Sequence, residues 1–347
     1  MKKKFYTLLS GALASTLVLA ACGEEGNGDD VDDTNEDGIE DAGEETEASD
    51  VDVSNLQLGT GSTGGTYFPL GQQIAEALNE HIDVDDFDLS SVSTGASVDN
   101  ISSIYRDELH LGMTVHLPAL DALTGAGAFE GVEMDNFGFM GHIYPEVMQI
   151  VTTEGTGVET LADLEGKSVA IGPPGSGTQE AAKTILEAAG LEEGDYEAME
   201  EGFGDATSRI QDGNLDASFG LLGLPNGSIE ELEVSGRDVK ILDIDDETLA
   251  TIEEVSGYEG YEIPEGSYDF LEDPVQTVTA YAVMVGSTDT IDEDLGYEIT
   301  KTMFEHSDAI SHQQGDHMTK DNAMNGSEGL PIHPGAEKYF EEEGILE

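Results

Sequence analysis

Twice in this chain, once in each half, a short apolar strand runs into a glycine-rich turn and then into a helix. Residues 56–60 read as a strand that enters Gly59-Thr60-Gly61-Ser62-Thr63-Gly64-Gly65-Thr66-Tyr67. Over residues 68–81, Leu70, Ile74, Ala77 and Leu78 then recur at helical spacing. Residues 168–172 repeat the style, entering Pro173-Pro174-Gly175-Ser176-Gly177-Thr178 before a helix over 179–189. Between and after these units, strands are predicted at 89–92, 109–115, 147–152 and 217–221. Helices are predicted from Thr94-Gly95 to about residue 107, and at 160–164, 205–211 and 292–304. A long β-rich run over 276–285 is suited to crossing back from the second half to the first. Strands alternating with amphipathic helices imply an α/β fold with mostly parallel sheets. The halves are alike in pattern, with no close repeat of sequence.

The N-terminus sets the compartment. Lys2, Lys3 and Lys4 precede an apolar run over residues 8–21, too short for a membrane span and flanked as a secretory signal is. It ends in Leu19-Ala20-Ala21-Cys22-Gly23, which resembles the lipobox of bacterial lipoproteins. That resemblance implies acylation of Cys22, the only cysteine, and so a lipid anchor on the outer face of the cell membrane or in the periplasm. Residues 23–52 are nearly all acidic or small and polar, and read as a charge-extended tether that cannot pack a core. Within it Asp33, Asn35, Asp37, Asp41 and Glu44 fit a calcium-loop pattern. So acid-rich a stretch yields such matches by composition, and no helical periodicity flanks this one, so no metal is assigned.

Acids outnumber bases throughout, 75 to 12, for a formal net charge of −63. Such a field repels nucleic acid and anionic head groups, which excludes both as partners. Because the acids are spread rather than blocked, we read them as adaptation to high salt, where screening limits self-repulsion.

Glycine turns that open helices let a ligand approach the backbone, and helix N-termini offer unpaired N–H groups. Ser62, Thr63, Thr66, Ser176 and Thr178 add hydroxyls. The bland alternative for either turn is a tight connection with Ser or Thr as an N-cap. Enzyme patterns fail on the same residues. Neither turn carries the P-loop lysine, and Ser62 and Ser176 directly follow glycines, so both miss the G-x-S-x-G spacing. Gly59, Gly61 and Gly64 match the dinucleotide fingerprint, but a secreted chain is a poor place for a diffusible nicotinamide. His306, His312 and His317 lack metal-site spacing and read as a solvated helix and loop. Neither catalysis nor a cofactor is expected.

Four stretches in order, 59–71 (GTGSTGGTYFPLG), 93–100 (STGASVDN), 172–178 (GPPGSGT) and 332–340 (IHPGAEKYF), with 220–226 (GLLGLPN), resemble the TAXI family. These are the extracytoplasmic solute-binding subunits of tripartite ATP-independent periplasmic (TRAP) transporters, and the similarity runs from about residue 55 to the C-terminus. It implies the two-lobed type II periplasmic-binding-protein fold, with lobe 1 at 53–145 plus 280–347 and lobe 2 at 146–279, closing on a ligand. The ligand class so implied is a small carboxylate or amino acid such as 2-oxoglutarate or glutamate, passed to membrane permease subunits. The site implied is Ser62, Thr63, Gly64, Gly65, Thr66, Tyr67, Ser97, His116, Ser176, Gly177 and Thr178; His116 stands where many relatives carry Gln. The alternatives are a module presenting solute to a signalling receptor and a secreted hydrolase.

Overall fold

The computed structural model describes residues 52–346. The signal segment, Cys22 and the calcium-loop residues Asp33, Asn35, Asp37, Asp41 and Glu44 lie outside that range. The described strands are β1 (Leu56–Gly59), β2 (Leu89–Val92), β3 (Leu111–Val115), β4 (Phe137–Thr153), β5 (Ser168–Ala170), β6 (Glu197–Met199), β7 (Ala217–Leu222), β8 (Val239–Ile241), β9 (Glu259–Ile263) and β10 (Val275–Ser287). The helices are α1 (Tyr67–His81), α2 (Ser97–Tyr105), α3 (His116–Thr124), α4 (Gly177–Ala188), α5 (Phe203–Asp212), α6 (Gly227–Val234), α7 (Asp246–Val255), α8 (Glu293–Glu305) and α9 (Pro334–Glu342).

All ten strands join one sheet, in the order β2-β1-β3-β10-β4-β7-β5-β6, with β8 added to β4 and β9 to β10. Parallel pairing, expected for most of the sheet, holds at the two flanks: β1 with β2 and β3, and β5 with β6 and β7. The centre is antiparallel, because β4 leaves the first half and β10 returns to it. Both are long enough to pair in each half. β10 meets β3 and the start of β4 at one end and β9 at the other, while the far end of β4 meets β7 and β8. In their shared ladder Glu146 lies opposite Ala280 and Pro145 opposite Tyr281. The expected lobe boundaries, 145/146 and 279/280, thus fall at facing positions.

The apolar residues segregate accordingly. One core packs α1, α2, α8 and α9 against the first half of the sheet, with Leu70, Ile74 and Leu78 on the buried face of α1. Each such side chain contributes about 1.5–3 kcal/mol on burial. Two further cores lie in the second half, one under α4 and α7, the other under α5 and α6. Caps fix the helix starts: Asp245 and Asp292 accept N–H groups of α7 and α8, and Pro334 opens α9, where its missing N–H is not needed. The short helix expected at 160–164 is a 3-10 turn over Leu161–Leu164, closed by a capping box between Thr160 and Asp163.

Candidate functional site

The two glycine turns meet. A buried asparagine on α2 sets the first: Asn100 Nδ2 donates to the carbonyls of Thr60 and Met113, both at 2.8 Å, and its Oδ1 accepts from Thr94 Oγ1 at 2.7 Å. This ties the ends of β1 and β3 to the 93–96 turn. It also explains Gly59, where a Cβ would stand 2.4 Å from Asn100 Oδ1. The second turn reaches the first through Val98 N–H, which donates to Gly175 O at 2.9 Å. Gly177 packs so close to Val115 that a Cβ would lie 2.4 Å from its Cγ2.

Between the turns lies a cleft of about 510 Å³, counted to its open mouth. Of the expected site residues, Ser62, Gly65, Thr66, Tyr67, Ser97, Ser176, Gly177 and Thr178 line it. Thr63 and Gly64 do not; they edge two neighbouring surface hollows. His116 does not either. As the first residue of α3 it turns toward β10, where its Nδ1 accepts Tyr281 N–H at 3.2 Å and its ring lies 5.4 Å from that of Tyr281. Burial holds it neutral, with its pKa down to about 4.

The two turns differ in a way their sequences hide. Ser176 caps its own helix: its Oγ accepts Gln179 N–H at 3.1 Å and donates to Pro173 O at 2.8 Å, so its hydroxyl is committed. At the start of α1 the N-cap Thr66 makes no such bond, since its Oγ1 accepts Gly223 N–H at 2.9 Å. The α1 N-terminus therefore opens on the cleft without a side-chain cap. Ser97 Oγ accepts Val115 N–H at 3.1 Å and Thr178 Oγ1 accepts Leu221 N–H at 3.2 Å. In Thr178 the oxygen is thus held by a backbone donor and the hydroxyl proton is left to donate, whereas the hydroxyls of Thr66 and Ser97 also face the phenols of Tyr144 and Tyr67. Tyr67 Oη is buried and faces Ser97 and Glu146, with no closely aligned hydrogen bond among the described residues.

Sequence reasoning missed the cleft's one carboxyl. Glu146 on β4 is 1% exposed and accepts a 3.4 Å hydrogen bond from Tyr144 Oη. Burial raises its pKa to about 8, against the opposing pull of the Tyr67 and Tyr144 hydroxyls. Burial, then the nearby Glu146, pushes the Tyr67 phenol well above its ordinary range. Val115, Phe203, Phe219, Leu221 and Leu222 supply apolar wall. No serine or threonine hydroxyl among the described residues is hydrogen-bonded to a histidine, the pair that nucleophilic catalysis employs.

Across the cleft the halves touch directly. Ser228 Oγ donates to Gly64 O at 3.0 Å, and the backbones of Gly64 and Gly204 meet without room for a Cβ at position 64. Of the three histidines expected on a solvated segment, His306 ends α8 stacked on His81 at 4.0 Å, while burial depresses the pKa of His312 and His317.

The model of the NMT1-like family matches residues 58–344. Among solved structures the chain is similar to PhnD1 of Prochlorococcus marinus in complex with methylphosphonate. There the identity is 11%, the TM-score 0.50, and the match covers 84% of this chain and 99% of that one. It is also similar to a protein from Bordetella bronchiseptica RB50, at 16% identity, TM-score 0.48 and 86% and 91% coverage. A third is the alkanesulfonate-binding protein SsuA of Xanthomonas axonopodis pv. citri bound to MOPS, at 16% identity, TM-score 0.46 and 83% coverage of each chain. The fold is the mixed α/β fold of the two-lobed periplasmic solute-binding proteins.

Proposed function

The chain belongs to the NMT1-like family, and from that premise we propose that it is an extracytoplasmic receptor that holds a small organic acid between two lobes and delivers it to a membrane transporter. The observation that carries this is the cleft's polar lining: the hydroxyls of Thr66, Ser97 and Thr178, the uncapped start of α1 and the buried Tyr67 Oη. A charge-assisted hydrogen bond contributes about 1.5–3 kcal/mol, which a ligand carboxylate set among these donors would gain. Residues 53–145 with 280–347 form one lobe and 146–279 the other, and turnover is a hinge motion on β4 and β10 rather than a change of bonds.

The transporter is of the TRAP type. The ordered motifs between residue 59 and residue 340 support that reading; the likeness to solved structures bears on the fold alone. The chain is held to the outer face of the cell membrane by lipid on Cys22. None of the described helices is long and apolar enough to cross a membrane.

The test is a calorimetric screen of amino acids, monocarboxylates and dicarboxylates at molar salt, with scans of thermal unfolding alongside. A ligand at 100 times its Kd should stabilise the fold by about 2.7 kcal/mol. If no organic acid binds or stabilises, the receptor reading fails.

A further inference from the structure

A receptor for an anion has no evident use for a buried carboxyl in its cleft. Glu146 lines the cleft, is 1% exposed and has no basic partner among the described residues, since neither arginine nor lysine stands in the lining. The titratable groups that face it are phenols: Tyr67 from α1, Tyr144 from β4 and, farther off, Tyr258. A buried carboxylate without a cation is costly, so burial beside phenols alone favours protonated, neutral Glu146.

Three features of the cleft therefore need matching at once. The hydroxyls of Thr66, Ser97 and Thr178, with the α1 N-terminus, suit a carboxylate. Glu146 suits a cationic donor. The walls from Val115, Phe203, Phe219, Leu221 and Leu222 suit an apolar body. A dicarboxylate would bring a second negative charge beside Glu146, with no arginine or lysine to take it. It would also approach a chain of formal net charge −63. A zwitterion has no net charge and meets no long-range repulsion.

We propose, resting on the receptor reading above, that Glu146 is the specificity-determining residue and that the ligand is a zwitterionic amino acid with an apolar side chain, its ammonium bound by the Glu146 carboxylate. As the ammonium docks, Glu146 releases its proton to solvent and forms a charge-assisted hydrogen bond. This narrows the wider class of small carboxylates and amino acids.

The experiment compares each of leucine, valine and phenylalanine with its 2-oxo acid by titration calorimetry, with glutamate and 2-oxoglutarate as further probes. In wild-type protein the amino acids should bind more tightly than their 2-oxo counterparts by about tenfold or more, the scale of one charge-assisted hydrogen bond. Titrations at pH 7 in buffers of different ionisation enthalpy should reveal proton release with the amino acids alone. Glu146→Gln should weaken the amino acids by about tenfold or more and leave the 2-oxo acids unchanged or tighter. Glu146→Asp, which keeps the charge, should retain the preference and so covers the case in which the glutamine variant fails to fold. Tighter binding of 2-oxo acids or dicarboxylates to wild-type protein overturns the proposal and leaves the receptor reading standing. So does an unaltered preference in folded Glu146→Gln. Failure of every compound to bind overturns both.

Discussion

Alanine at position 64 should hold the receptor open. A Cβ there would stand 2.3 Å from Gly204 Cα and 2.5 Å from Gly204 N, atoms of the opposing half's backbone that have no side-chain freedom to swing aside. Carbon atoms rest at about 3.5–4.0 Å, so the halves must part by about 1 Å or more at this point. The bonds that bridge them nearby are Ser228 Oγ to Gly64 O at 3.0 Å and Gly223 N–H to Thr66 Oγ1 at 2.9 Å. Each contributes about 0.5–1.5 kcal/mol net, so losing both disfavours the closed form by about 1–3 kcal/mol. For a ligand held by the closed form, that raises Kd roughly 5- to 150-fold. Gly64 is not among the glycines with positive φ, so alanine fits its backbone and the urea midpoint of the unliganded protein should hardly move. Calorimetry measures Kd, and X-ray scattering reports whether added ligand still compacts the protein. Gly155→Ala, with nothing within 4 Å of the new methyl, is the neutral control. A folded Gly64→Ala protein that binds as tightly as wild type would refute the argument that backbone contact across the cleft secures the ligand.

Other expectations follow from the same geometry. Glu146 titrates near 4.5 when unfolded and at about 8 when buried, so its burial costs nothing below pH 4.5 and its full penalty above pH 8. At about 1.4 kcal/mol per pH unit the unliganded protein should lose about 5 kcal/mol between those limits through this group, a loss Glu146→Gln should abolish. Parallel urea midpoints for the two proteins from pH 5 to 9 would contradict this. Ser176→Ala should lower stability by about 1 kcal/mol through the lost cap and spare affinity. Thr178→Ala should weaken binding, and Thr178→Ser should restore it, both read by calorimetry; equal effects at 176 and 178 would erase the distinction drawn between the turns. Cys22→Ser should move the protein from the membrane fraction to the soluble one without changing affinity, and retention after an alkali wash would exclude a lipid anchor.

Much of the scaffold was legible because two periodicities are hard to hide. The period of 3.6 in α1 and the unbroken β character of residues 276–285 survive without an alignment. The first half of β4 did not read as strand, because Gly138, Gly141, His142 and Pro145 look like breakers. In the fold the ladder with β10 slips register on either side of Gly141 and His142, which tolerates them, while Gly138 and Pro145 pair regularly with Gly286 and Tyr281. The start of α3 was equally hidden. No turn residue separates Val115 from His116, so strand passes straight into helix and carries His116 away from the cleft. The two glycine turns read alike because a hydroxyl at a helix start does not reveal its partner. Thr66 is engaged by an N–H 157 residues away, whereas Ser176 is engaged by its own helix. Glu146 was lost in the composition. In a chain with 75 acids, one more attracts no notice, although it is the only acid in the apolar run Phe137–Thr153.

Across the ladder from Ala280, Glu146 sits on the ribbon of β4 and β10 about which the lobes would turn. Points on a rotation axis barely travel; points far from it sweep wide arcs. On the proposed hinge, Gly64 and Gly204, at the rims, would meet only as the arc completes, whereas Glu146 would keep its place throughout. On that reading an arriving molecule would meet Glu146 before the lobes close and be detained by the rims afterwards. Substitutions at the axis should then show up in how often an encounter is productive, and those at the rims in how long the captive stays.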